Sequence, residues 1–184
     1  MKQIREAKLT KTQMGIYVEC VNNPESTLYN LPFLAKLGED INVDTLKHAI
    51  EQTLMAHPCM NTILYVNDNG DVMQKIAETC CEVKKITLSD EEFEKVRECL
   101  VRPHELLNHK LARFEIYITP SGNYLFEDIH HIIIDGTSHH MFAVDLKKAY
   151  DGELLELETY TAIDVAMDEA KALDSEEYEV AKAF

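Results

Sequence analysis

The sequence is poor in the features that mark several protein classes. Its 184 residues include no tryptophan, six glycines, five prolines and five cysteines. Such low glycine and proline contents exclude collagen-like and low-complexity chains, and so few cysteines exclude a disulfide scaffold. No apolar run approaches the roughly 18 residues of a membrane helix, and no signal peptide follows Met1. We therefore expect a globular protein in the cytoplasm, away from membranes, with its cysteines as free thiols.

Positive charge is also scarce, since 18 basic residues face 33 acidic ones and leave a net charge of −15. A phosphate backbone repels such a surface, so we expect no nucleic acid partner. Residues 151–184 hold eleven of the acids and only two lysines. Within them, Ile163, Ala166, Met167 and Ala170 recur at helical spacing. This pattern predicts an acidic helix whose apolar face needs a cover, for which a second lobe is one candidate.

Helical patterns dominate four parts of the chain. Residues 43–57 form the clearest helix, ended by Pro58, because their apolar residues fall on one stripe. A short helix over 10–19 is opened by Thr10 or Thr12, and Ser89 with Glu92 forms a capping box that opens another. A further helix follows the motif at residues 130–136, with Phe142, Leu146 and Ala149 on its apolar face.

Strand patterns alternate with these helices. Residues 62–66 and 72–76 form a hairpin around the turn Asn67-Asp68-Asn69-Gly70, and strands are expected over 31–37, 111–119 and 124–134. Pro32 fits either the first position of its strand or a sheet edge. No repeat or linker marks an internal boundary. The pattern predicts an α/β (α+β) fold, a mixed sheet with packed helices, but it does not give the strand order.

The chemistry concentrates in His130-His131-Ile132-Ile133-Ile134-Asp135-Gly136, at the end of a predicted strand. Neighbouring side chains on a strand point to opposite faces, so only one of the two histidines can face a cleft. Asp135 can hold an imidazole, pair with a cation or shape the turn, and Gly136 permits unusual backbone angles or a close approach. From the residues alone, a catalytic role and a structural role both remain open.

This His-His-x-x-x-Asp-Gly pattern resembles the signature of condensation domains of nonribosomal peptide synthetases, and related acyltransferases of the chloramphenicol acetyltransferase type carry similar versions. The likeness extends over nearly the whole chain. It includes Leu9-Thr10-Lys11-Thr12-Gln13, the helix over 43–56 leading into His57-Pro58, the segment from Arg102-Pro103 to Phe114, and the helix ending at Tyr150-Asp151-Gly152.

The resemblance implies a fold and a function. Residues 1–184 resemble one chloramphenicol acetyltransferase-like lobe, the amino-terminal lobe of a condensation domain, with the carboxy-terminal lobe absent. The family forms an amide bond between a donor acyl or peptidyl thioester and an acceptor aminoacyl thioester. Both are held on the phosphopantetheine of partner carrier proteins, so the chain itself is expected to bind no cofactor. Its other partners would be the missing lobe and neighbouring synthetase domains, and alone it should show little or no activity.

The resemblance also assigns roles within the motif. His131 would be the catalytic residue, facing the channel between the lobes and either removing a proton from the acceptor amine or positioning that amine. His130 and Asp135 would be supporting residues, with Asp135 in an ion pair inside the lobe. Gly136 would line the channel and offer a backbone N–H.

One segment departs from the family pattern. Where the family usually has Arg-His-x-x-Leu-Arg-Thr, this chain has Ala56-His57-Pro58-Cys59-Met60-Asn61-Thr62. Asn61 replaces an arginine expected to meet Asp135, and a buried carboxylate without a cation is costly. Either another cation such as Arg113 pairs with Asp135, or the site is degraded.

Three alternatives therefore stay open. The chain could be an acyltransferase that uses coenzyme A thioesters, or a non-catalytic module that docks carrier proteins. A zinc site is the third, since four histidines lie close in sequence, namely His130, His131, His139 and His140. Adjacent histidines on a strand diverge, however, so we expect no metal. Of these, His139 and His140 are interpreted as exposed at a helix start. The remaining histidines are interpreted as surface or helix-end residues, namely His48, His57, His104 and His109.

Overall fold

The computed structural model describes residues 5–175 together with residues 178, 180 and 182, in two β-sheets with α-helices packed around them. The strands are β1 (Glu6–Lys8), β2 (Asn30–Lys36), β3 (Thr62–Val66), β4 (Val72–Ile76), β5 (Val83–Thr87), β6 (Ala112–Thr119) and β7 (Gly122–His130). The helices are α1 (Lys11–Asn22), α2 (Val43–Ala56), α3 (Asp90–Arg97), α4 (Gly136–Tyr150) and α5 (Ala162–Leu173), with a short 3-10 turn at Pro58–Asn61.

The larger sheet has the strand order β2-β7-β6-β5. Strand β5 runs parallel to β6 and the other pairs are antiparallel, which confirms the predicted mixed sheet. Strand β2 forms one edge, where Pro32 is tolerated because an edge strand leaves some N–H groups unpaired. The main core joins α2, α4 and this sheet, and includes Ile50, Leu54, Phe114, Ile129 and Phe142. A second cluster packs α3 on the sheet and includes Phe93, Tyr117 and Phe126.

The smaller sheet has the order β1-β4-β3 and is antiparallel throughout. Its hairpin β3–β4 has the predicted bounds, and Gly70 adopts a positive φ of 83° in the turn. Helix α5 packs on this sheet, because Ile163 and Ala166 form a buried cluster with Ala7. The smaller sheet of this chain, and not a second lobe, therefore covers the amino-terminal part of the apolar face predicted over residues 163–170.

Helix starts follow the capping residues in the sequence. Thr10 caps α1 and exchanges hydrogen bonds with Gln13, while Ser89 and Glu92 form the capping box of α3. Helix α2 ends at the position before His57, as Pro58 predicts. All five cysteines are free, as expected.

The strand prediction for residues 124–134 is wrong at its end, because β7 stops at His130. Residues 131–133 form a turn in which the N–H of Ile133 donates to the carbonyl of His130 at 3.1 Å. Ile132, Ile133 and Ile134 are buried in the core without strand pairing. A short apolar run is typical of a buried strand, and this run therefore led to the wrong strand end. Strands β1 and β5 escaped prediction, since β1 is three residues long and Lys84-Lys85 interrupts the alternation of β5.

Within the described part of the chain, no helix has the length and apolarity needed to cross a lipid bilayer.

Candidate functional site

The two motif histidines face opposite ways. His131 is the first residue after β7 and is exposed, and its backbone N–H donates to the carbonyl of Tyr29 at 2.8 Å. His130, the last residue of the strand, is only 3% exposed. One histidine faces the core and the other does not, as predicted, but the cause is that β7 ends at His130 and His131 already belongs to the turn.

His130 is held as a neutral imidazole. Its Nδ1 accepts a hydrogen bond from the backbone N–H of Ile132 at 3.2 Å, and its Nε2 lies 3.6 Å from Sγ of Cys20. Burial, together with the nearby His104, lowers the pKa of His130 to about 4. Because Nδ1 accepts, the proton of the neutral ring is assigned to Nε2, on the side of Cys20. His130 therefore fixes the turn that follows it and is not available as a base.

Asp135 lies at the surface rather than in the expected ion pair inside the lobe. Its carboxylate is exposed and accepts a hydrogen bond from the backbone N–H of Ser138 at 2.8 Å, which makes it the N-cap of α4. The hydrogen bonds from Ser138 lower the pKa of Asp135, with a smaller contribution from the nearby His131. The prediction of a buried pair is wrong because the chain turns outward here to begin a helix, where the helix N–H groups replace a cation.

Gly136 is the exposed first residue of α4, and a Cβ placed there would meet no atom within 4 Å. Its φ is also not positive. Neither close packing nor backbone geometry within the described residues therefore requires glycine at this position.

Asn61 and Arg113, the two residues considered opposite Asp135, bond to other groups instead. Asn61 is buried, donates to the carbonyl of Leu54 at 2.8 Å and accepts from the N–H of Cys81 at 2.7 Å. It therefore ties the end of α2 to the segment before β5. The missing arginine is thus replaced by a fully bonded structural amide, and Asp135 has no need of it because its carboxylate accepts the hydrogen bond from Ser138 at the start of α4.

Arg113 instead joins a buried polar cluster beneath His130. It donates to Asp128 at 2.7 Å and to the carbonyls of residues 102 and 103. Asp128 is fully buried, accepts two further contacts of 2.9 Å from Asn30, and lies 3.6 Å from Nε2 of His104. The cluster fastens the segment before β6 to the strand that ends at the motif.

His104 is the residue of this cluster that sequence reasoning missed. Its side chain is 1% exposed and meets the His130 ring edge-on at a centroid distance of 5.6 Å. The interpretation of His104 as a surface residue is therefore wrong. Its place just after Arg102-Pro103, a segment already noted for its family resemblance, was the available signal.

The four clustered histidines do not converge. His139 is half-buried, not exposed as expected, and its Nε2 lies 3.3 Å from the buried carboxylate of Glu127. This contact raises the pKa of His139. His140 is exposed. In residues 5–175 and the three described positions beyond them, no three His, Cys, Asp or Glu side chains are arranged to hold a metal ion.

A cavity of about 650 Å³ lies behind the motif, between α1 and residues 103–107. His130, His104 and Cys20 contribute to its lining. A second cavity of about 350 Å³ is lined by Ile133, Ile134 and Ser138 together with α5 residues. The motif turn therefore separates two concave surfaces.

Comparison with known proteins places this geometry in a family. The family model of the condensation domain matches residues 3–184. The chain belongs to the condensation domain family. Surfactin synthase subunit 1 of Bacillus subtilis is 28% identical over 172 residues, covering 92% of this chain and 5% of that protein. Bacitracin synthase 3 of Bacillus licheniformis is 31% identical over 150 residues, covering 80% of this chain and 2% of that protein.

Solved condensation domains share the fold. The starter condensation domain of the rhizomide synthetase superposes with a TM-score of 0.77 at 16% identity, covering 92% of this chain and 44% of that one. The condensation domain of the Monacolin K polyketide synthase superposes with a TM-score of 0.79 at 18% identity, covering 95% of this chain and 41% of that one. This condensation-domain chain therefore spans less than half the length of these two structures, and a small fraction of the synthetases.

Proposed function

We propose that this chain is the amino-terminal lobe of a condensation domain and that His131 is its catalytic residue for amide bond formation. The observation that carries the proposal is the exposed His131 side chain on a turn whose backbone is fixed, within a chain of this family. Imidazole is the side chain that most often moves protons near neutral pH. The carboxy-terminal lobe would close the channel that His131 faces.

In the proposed reaction, the nitrogen of the acceptor aminoacyl thioester attacks the carbonyl carbon of the donor thioester. The new C–N bond forms, the C–S bond breaks, and the thiol of the donor carrier's phosphopantetheine leaves. His131 accepts the proton that the amine loses, which finally reaches the departing thiolate, or it holds the amine in line for attack. The carrier proteins supply both phosphopantetheine arms, and this chain supplies the histidine.

The neighbouring residues support this role without touching the substrates. His130 stays neutral and holds the turn, and Asp135 fixes the start of α4 through Ser138. Gly136 stands at that helix start, where the first backbone N–H groups have no partner inside the helix. Gly136 is the exception among these neighbours, since we infer that its N–H faces the reacting groups once the second lobe is present.

The test is an amide formation assay with donor and acceptor thioesters on carrier proteins. We expect no turnover by the 184-residue chain alone and turnover when it is joined to the carboxy-terminal lobe from its natural context. Donors on coenzyme A are compared in parallel, and a preference for carrier-bound donors separates condensation from acyl transfer by a coenzyme A enzyme. Turnover by the chain alone would overturn the half-domain proposal.

A non-catalytic docking module is the second candidate. The observation that favours it is the absence of any ion pair to Asp135 among the described residues. The exposed His131 argues against it, since that side of the turn is open. Carrier binding by the completed protein without amide formation would establish the docking role.

A further inference from the structure

The turn that carries His131 is held at four backbone positions. The N–H of His131 donates to Tyr29, that of Ile132 to Nδ1 of His130, and that of Ile133 to the carbonyl of His130. The fourth contact comes from outside this region, because the carbonyl of Ile132 accepts a hydrogen bond from Nε2 of Gln13 at 3.1 Å. Gln13 lies on α1, 119 positions earlier in the chain.

The side-chain amide of Gln13 can have only one orientation. Its Oε1 accepts from the backbone N–H of Thr10 at 3.0 Å and from Nε2 of Gln74 at 2.8 Å. The carbonyl of Ile132 needs a donor, and the N–H of Thr10 needs an acceptor, so reversing the amide would break both contacts. Gln13 is 9% exposed, and buried contacts of this kind are costly to leave unmade.

Gln74 completes the arrangement. It lies on β4 with 0% exposure, accepts from Nε2 of Gln13 at 3.0 Å and donates to the carbonyl of Lys8 at 3.3 Å. The two amides thus bond reciprocally and join α1, the smaller sheet and the motif turn. Uncharged buried amides with every partner satisfied have a single low-energy arrangement, so they rigidify what they hold.

We propose that Gln13, oriented by Gln74, is a positioning residue that sets the direction of His131 by holding the carbonyl of Ile132. The proposal rests on the proposed catalytic role of His131. A catalytic group must be held closely in its productive geometry, and a displacement of about 1 Å can cost about 100-fold in rate. An exposed side chain has no packing to provide this, so the backbone contacts must.

The experiment separates the contact to the turn from the stability of α1. Gln13→Glu at pH 8 keeps an oxygen for Thr10 and Gln74 but loses the donor to Ile132, and Gln13→Met loses it without adding charge. The matched control is Thr10→Ala, which removes the cap hydrogen bond from the N–H of Gln13 and leaves the donor to Ile132 in place. Thermal unfolding of each variant confirms that it folds.

Two measurements give the result. In the 184-residue chain, amide hydrogen exchange at positions 131–133 should be about tenfold faster in both Gln13 variants than in Thr10→Ala. In the completed domain, both Gln13 variants should lower kcat about tenfold and leave KM within about twofold of its original value. When His131→Ala is also present, neither Gln13 variant should lower kcat further.

Equal amide exchange rates at positions 131–133 in the Gln13 variants and in Thr10→Ala would overturn the proposal. A loss of kcat that the Gln13 variants still cause in the His131→Ala background would also overturn it. If His131→Ala itself leaves the rate unchanged, the proposed function fails. The exchange measurement then still decides whether Gln13 holds the turn.

Discussion

His130 accepts a hydrogen bond at Nδ1 from the backbone N–H of Ile132, 3.2 Å away, and so uses its own ring to close the turn that presents His131. Only a neutral ring can make this contact, because both nitrogens of an imidazolium are donors. The division of roles between two adjacent histidines therefore follows from the point where β7 ends.

The first prediction concerns acid stability. Burial lowers the pKa of His130 to about 4, below its value in the unfolded chain. The unfolded state then binds more protons, so stability is fully present above about pH 6.5 and is lost as the pH falls towards 4. We expect His130 to account for about 3 kcal/mol of this loss. Urea unfolding across this range should show a shallower loss for His130→Asn, and an identical pH dependence would contradict the assignment.

The buried pair of Arg113 and Asp128 gives the second prediction. Arg113→Met leaves the fully buried Asp128 without its cation and should lower the free energy of unfolding by about 3 kcal/mol. The matched control is Arg97→Met, which removes an exposed arginine paired with Glu94 and should change stability little. Chemical denaturation measures both, and equal effects would show that the cluster does not hold the segment before β6.

The third prediction distinguishes a helix cap from a buried ion pair at Asp135. Asp135→Ala should cost about 1 kcal/mol of stability, and Asp135→Ser should recover most of it, because serine also caps helices well. A loss of 3 kcal/mol or more that serine does not rescue would instead indicate a buried carboxylate with a cation. Equilibrium unfolding of the three proteins decides between the two.

The fourth prediction concerns His139. Its contact with Glu127 raises its pKa above the ordinary histidine value, so the stability it contributes is present at low pH and is lost as the pH rises through the raised pKa. An NMR titration of the ring protons should show this elevated pKa, and Glu127→Gln should lower it.

Local sequence signals predicted much of the fold. The turn at residues 67–70 and the alternation beside it gave the bounds of β3 and β4, and Ser89 with Glu92 marked the start of α3. Strand β5 was missed for two reasons, because Lys84-Lys85 interrupts its alternation and because its parallel pairing with β6 is encoded by no local pattern. The end of β7 was misplaced because three buried isoleucines follow it in a turn.

The site was predictable in part. The motif marked His131 as the candidate, and the expectation that only one of the two adjacent histidines faces the core is confirmed by their burial. The partners of Asp135, Asn61 and Arg113 were not predictable, since each contact depends on how distant elements pack. His104 lies in a segment that carries the family resemblance, but its burial beside His130 depends on how distant elements pack. Gln74 lies outside the segments that carry the resemblance, so its contact with Gln13 could not be predicted.

The central claim is that His131 promotes amide bond formation, and the most direct test is the single-turnover rate of the completed domain with His131→Ala. His140→Ala, which removes an exposed histidine of α4, is the matched control. We predict a loss of about 100-fold or more for His131→Ala and an unchanged rate for His140→Ala. A His131→Ala rate within twofold of the unmodified domain would contradict the account.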